Sequence, residues 1–123
     1  MHVVWSSQLG AEQSHVASAT RLMDDARVRH YWDGERVAGA AFQPYFPGLS
    51  TPAWDVWMLF SPGVSWEGAE PPEPTWWEHQ LGSLQRTHPD RRLDAERFAR
   101  KAHELAARGE GLVLSVHSVQ GRR

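Results

Sequence analysis

The sequence predicts an α/β domain, and three observations carry that expectation. Short runs of β-branched and aromatic residues alternate with segments whose apolar residues recur every three or four positions. The run Trp54 to Phe60 is apolar on both faces, as in a strand covered on each side. At 123 residues, the chain can bury about two thirds of its unfolded surface in one core. A second domain is not expected.

The elements follow in order. His2 to Trp5 is short, β-branched and aromatic, and is expected to be a buried strand. From Gly10 to Met23, Val16, Ala19, Leu22 and Met23 recur at helical spacing, and Asp24-Asp25 ends the helix. Val28 to Trp32 is a second strand, closed by the turn pair Asp33-Gly34. A short helix from Glu35 stops before Pro44, because the residue preceding a proline disfavours the α region. After the loop Pro44 to Pro52, Trp54, Val56, Met58 and Phe60 fall on one strand face, and Trp57 and Leu59 on the other. Ser61-Pro62-Gly63 then turns the chain into Val64-Ser65-Trp66, the expected second strand of a hairpin, at or near an edge. The stretch Glu70-Pro71-Pro72-Glu73-Pro74 is a connector.

Thr75-x-x-Glu78 is a capping-box pattern, which predicts a short helix carrying Trp76, Trp77, His79 and Leu81, stopped by Gly82. A last amphipathic helix runs from the N-cap Asp94 to Gly109, with Phe98, Ala102, Leu105 and Ala106 as its buried stripe. Residues 1–109 thus form a single domain. Within 110–123, Leu112 to Val116 suits an edge strand and a C-terminal tail equally.

Composition excludes several functions. With 13 Lys+Arg against 15 Asp+Glu, the net charge of −2 supplies no basic field for nucleic acid or an anionic membrane. The absence of cysteine excludes thiol nucleophiles, cysteine-ligated zinc and C-x-x-C redox chemistry. No apolar run approaches the roughly 20 residues that span a bilayer. The N-terminus carries neither a basic stretch nor an apolar one of signal-peptide length, so a cytoplasmic chain is expected.

The order β-α-β-α-β-β-α is similar to a thioredoxin-like three-layer fold without its first strand and helix. Ser50-Thr51-Pro52 stands before the hairpin as that family's proline does, and Phe60-Ser61-Pro62-Gly63-Val64 resembles its strand-turn-strand joint. Arg27 to Asp33, Ala53 to Trp57 and Trp76 to Leu81 also resemble bacterial thioredoxin-like proteins of undefined function. The likeness fades after Gly82. Such proteins carry a cysteine after their first strand, and this chain has none, so the resemblance transfers no redox residue and leaves Pro52 as the only counterpart. It implies either a small relative with another role or a thiol-redox protein whose cysteine-bearing N-terminal half is missing.

No catalytic motif stands out. G-x-S-x-G, G-x-x-x-x-G-K and G-x-G-x-x-G are all absent. Seven histidines invite a metal, yet no pair has ligand spacing. A site would have to be assembled across the fold, most economically from His15, His30, Asp33 and His79 with Glu78. The ordinary account of each is a surface or hydrogen-bonded side chain. Seven tryptophans mostly suit a core, each able to bury about 200 Å². Trp66, Trp76 and Trp77, near Pro71, Pro72 and Pro74, are harder to bury. They are the expected aromatic patch for a protein partner or a second copy, with Pro52 as a further contact. The expectation is a non-catalytic interaction or assembly domain with no cofactor; a histidine-based metal protein is the further alternative.

Overall fold

The computed structural model describes residues 1–109 and 111–118. Five strands form one mixed sheet: β1 (His2–Ser6), β2 (Arg29–Asp33), β3 (Val56–Phe60), β4 (Trp76–His79) and β5 (Leu112–Ser118). Their order is β2-β1-β5-β3-β4. β2 and β5 run parallel to β1, while β3 runs antiparallel to β5 and β4. Four α-helices accompany the sheet: α1 (Val16–Thr20), α2 (Val37–Phe42), α3 (Gly82–Thr87) and α4 (Ala95–Ala106). Among the described residues, no helix is long and apolar enough to cross a membrane.

Strand register fixes two faces, because side chains alternate with a period of two. Val4 stands opposite Tyr31 and Val116, Val56 opposite Val116, and Met58 opposite Leu114 and Trp77. This face buries the larger cluster, which includes Phe42 from α2, Phe46 and Leu49 from the following loop, and Leu84 from α3. Each fully buried large apolar side chain there contributes about 1.5–3 kcal/mol. On the opposite face Val3 and Trp5 pack with Val16, Ala19 and Met23. There Leu59 and Val113 line a cleft with Leu105 of α4.

Several elements form where local signals place them. Asp94 caps α4 by accepting the Arg97 N–H at 3.0 Å, and Leu105 is buried in its stripe. Phe98 and Ala102 are half-buried, and Ala106 is exposed. The first helical run begins at Gln13, not Gly10, since Leu9 (φ 59) and Gly10 (φ 72) are left-handed. It continues to Met23 through 3-10 turns that flank α1; the Leu22 side chain lies outside the described set. β3 starts at Val56 rather than Trp54, because Asp55 has φ 50 and breaks the extended backbone.

The tryptophan-rich segment corrects the expectation. Val64 to Trp66 is not a strand, and Trp76–His79, expected as a helix, is β4. Thr75 pins the segment to the sheet: its N–H donates to Leu59 O at 2.8 Å, and its Oγ1 accepts the Ser61 N–H at 2.9 Å. Strand alternation then sends Trp77 into the large core and Glu78 to partners around α4. Helical geometry would not send these neighbours to opposite sides. Gly82 accordingly opens α3 instead of stopping a helix. The prolines 71, 72 and 74 lie in the long loop outside the ladder, where their missing N–H costs nothing.

β5 is the second correction. It lies between β1 and β3 in the middle of the sheet, bonded to both, and is neither an edge strand nor a tail. Along it Leu114, Ser115 and Val116 are buried and Val113 is half-buried, so side chains on both of its faces are largely covered. The expectation of a tail over 119–123 lies outside the described residues.

Candidate functional site

The expected aromatic patch does not assemble at one place. Trp77 packs edge-on against Phe46, with ring centroids 4.7 Å apart, and its body joins the core. Trp76 points to the other face of β4, beneath cations: the Arg91 guanidinium lies 4.0 Å and the Lys101 ammonium 4.8 Å from its ring centre. Its indole N–H donates to Glu78 Oε2 at 2.7 Å. Pro52 is half-buried, its Cβ 3.2 Å from where a Cβ on Gly39 of α2 would stand. The Thr51–Pro52 bond is trans.

Trp66 alone of this set faces solvent, at 42% exposure. Its loop is held at its base by Thr75 and along its length by the Tyr45 hydroxyl, which donates to Pro71 O at 2.7 Å. The indole stands edge-on to Phe42, with centroids 5.3 Å apart. It forms one wall of an open groove of about 300 Å³, whose other walls are His2, Val4, Tyr31 and Leu114. These four side chains occupy adjacent positions on the face of β1, β2 and β5. Tyr31 is 45% exposed.

The groove carries little polarity. The Tyr31 hydroxyl and His2 Nδ1 lie 3.0 Å apart and satisfy each other, with their rings stacked at 5.8 Å. Burial, then the nearby N-terminal ammonium and Arg29, hold the His2 imidazole below its ordinary pKa, which favours its neutral form. A neutral, aromatic-lined hollow suits an apolar side chain better than a charged ligand.

A second, polar cluster sits where β1 and β5 end and β3 begins. His117 is buried between Trp5 and Trp57, at centroid distances of 6.0 and 4.5 Å. Its Nδ1 lies 3.5 Å from Asp55 Oδ1, a long contact that ties β5 to the start of β3. Among the described residues, His117 Nε2 and Ser115 Oγ are buried without a hydrogen-bond partner. Nearby at the end of β1, the Ser6 hydroxyl donates to Gln8. The carboxyl ends of parallel strands are where α/β sheets place sites. Here His117 is only 7% exposed, and a general base must reach its substrate.

The residues weighed for a metal are dispersed and engaged. His15 Nδ1 accepts the Glu12 N–H at 3.1 Å. His30 Nδ1 accepts the Trp5 indole N–H at 3.0 Å. Asp33 caps α2 by accepting the N–H groups of Val37 and Ala38 at 2.9 and 2.8 Å. His79 bridges His88 O, at 2.9 Å from Nε2, and the Leu81 N–H, at 3.1 Å from Nδ1. Among the described residues, no group of three potential ligands comes together. Glu78 is fully buried. Burial raises its pKa, but hydrogen bonds from Arg97, the Asp94 N–H and Trp76 outweigh that and hold it below the usual carboxylate value. It clamps β4 to the start of α4.

Compared with protein-family models, curated proteins and solved structures, the chain shows no match. Two parts of the picture were missed at sequence level. Tyr31 shares its strand face with Arg29 and Asp33 by alternation, a signal present in the sequence. The pairing of Asp55 with His117, 62 residues apart, has no local signal.

Proposed function

We propose that the chain is a non-catalytic α/β domain for protein–protein interaction or assembly, acting through the groove beneath Trp66. The carrying observation is a single hollow with aromatic walls, open to solvent, in which two exposed aromatic rings stand on an anchored loop and a sheet strand. Clustered aromatics of this kind form the energetic centres of protein interfaces. The chain offers no thiol. Its elements up to α3 run in the order β-α-β-α-β-β-α, but the second strand of the β-β pair is Trp76–His79 and not the expected Val64–Trp66, so the likeness to thioredoxin-like domains stands as a proposal only. The central β5 departs from that order.

Peptides selected by display against the native domain test this reading. Apolar-anchored peptides are expected to emerge, and Trp66→Ala is expected to weaken them about thirtyfold or more, the signature of a hot spot. The proposal fails if no selected peptide depends on Trp66 while the variant keeps the native fold by circular dichroism.

A further inference from the structure

We infer that the open edge of β2 pairs with the β2 of a second copy of this chain, antiparallel and centred on Tyr31. This rests on the reading of the domain as an interaction module, but on a different part of it: the strand backbone beside the groove.

The two edges of the sheet are treated differently. β4 is covered by the segment that leads into α4: the Leu93 N–H donates to His79 O at 2.8 Å, Arg91 Nη1 reaches Trp77 O at 3.3 Å, and Arg92 bridges to His79. β2 has no such cover. The Arg29 N–H turns inward to Met1 O at 2.9 Å, so by strand alternation Tyr31 and Asp33 also face β1, while the N–H and C=O groups of His30 and Trp32 face outward. Among the described residues, no hydrogen bond reaches those outward groups.

An unprotected edge is a template for another strand, and the side chains here select which one. In an antiparallel pair centred on Tyr31, His30 lies opposite the partner's Trp32. The two exchange both N–H···O=C bonds, and the symmetric pair repeats the exchange. Arg29 then lies opposite the partner's Asp33 at both ends. Arg29 has no ion pair among the described residues. Asp33, although it caps α2, keeps carboxylate lone pairs to spare. Charges that would repel an unrelated edge are thus complementary to a copy of themselves. A shift of two residues sets Arg29 against Tyr31 and loses both ion pairs. A shift of one sets inward-facing groups against outward-facing ones. The strand is five residues long, so the dimer is a weak one, in the micromolar range or above.

The cysteine-free chain allows a register-specific test. At the centre of the pair the two Tyr31 Cα atoms would stand about 4.5 Å apart, within disulfide reach. The two Arg29 Cα atoms would be about 14 Å apart, four residues along the strand, and out of reach. Under mild oxidation, Tyr31→Cys is expected to form a covalent dimer at least tenfold faster than Arg29→Cys. In the cysteine-free chain, Arg29→Asp is expected to weaken the dimer about tenfold in sedimentation experiments, by reversing two charge contacts. Equal crosslinking rates, or native chain that stays monomeric at the highest soluble concentration, overturn the inference. Should Tyr31→Cys not fold, the Arg29→Asp comparison decides. Lost crosslinking with Trp66-dependent peptide binding intact removes the dimer alone, whereas the reverse result removes the groove.

Discussion

Glu78→Ala is expected to remove about 3 kcal/mol of stability, a sizeable part of the roughly 5–15 kcal/mol that domains possess. The Glu78 side chain has no solvent exposure, and three donors converge on its carboxylate: the Asp94 N–H at 2.7 Å, the Trp76 indole N–H at 2.7 Å and Arg97 Nε at 3.1 Å. Removing one partner of a buried pair costs about 3–5 kcal/mol. Arg97 is 29% exposed and can rehydrate, which places the expected loss at the lower end of that range. Glu78→Gln keeps the volume and one acceptor but turns an amide toward donors, so about half the loss is expected. Urea unfolding followed by tryptophan fluorescence measures these differences. The Glu78→Ala/Arg97→Ala double variant should lose at least about 1 kcal/mol less than the sum of the single losses, because each single change strands the other group. A loss below about 1 kcal/mol for Glu78→Ala, or strict additivity, refutes the clamp.

Three further outcomes follow from the same geometry. Burial lowers the His79 pKa below its usual 6.5, so the unfolded chain binds more protons. The stability His79 contributes is therefore present above that value and falls as pH drops from about 7 toward 5; Tm against pH should show this slope, and His79→Gln should flatten it. Deleting residues 112–118 removes the strand between β1 and β3 and should abolish cooperative unfolding; a sigmoidal urea transition in the shortened chain would contradict the central placement of β5. Gly39→Ala sets a Cβ 2.4 Å from Ala53 O, and a loss of about 2 kcal/mol or more is expected in chemical denaturation, since backbone cannot yield cheaply.

What the sequence disclosed depended on how far apart the partners lie. α4 was legible because Asp94 and Arg97, its capping pair, are three residues apart, and β3 because its own residues are apolar on both faces. Trp76–His79 was misread because Thr75-x-x-Glu78 imitates a local cap. What decides the matter lies far along the chain: the segment pairs with β3, and Glu78 bonds Asp94 and Arg97, 16 and 19 residues on. Glu78 does serve a helix N-terminus, but that of α4. β5 was ambiguous for the same reason: its partner β1 is at the other end of the chain, and nothing in Leu112 to Val116 names it. Of the candidate site, Trp66 was legible as a tryptophan hard to bury. Its neighbours His2, Tyr31 and Leu114 come from three separate strands that only the sheet order unites.

The most direct test of an interaction domain working from its β2 side is a map of backbone amide and indole NMR shifts as the native chain is concentrated and then titrated with a selected peptide. Concentration should move the amides of residues 29–33, and the peptide should move the Trp66 indole and its groove neighbours, with β4 and the Trp76 indole unmoved. Shifts centred on β4 and Trp76, or none in either titration, would contradict the account.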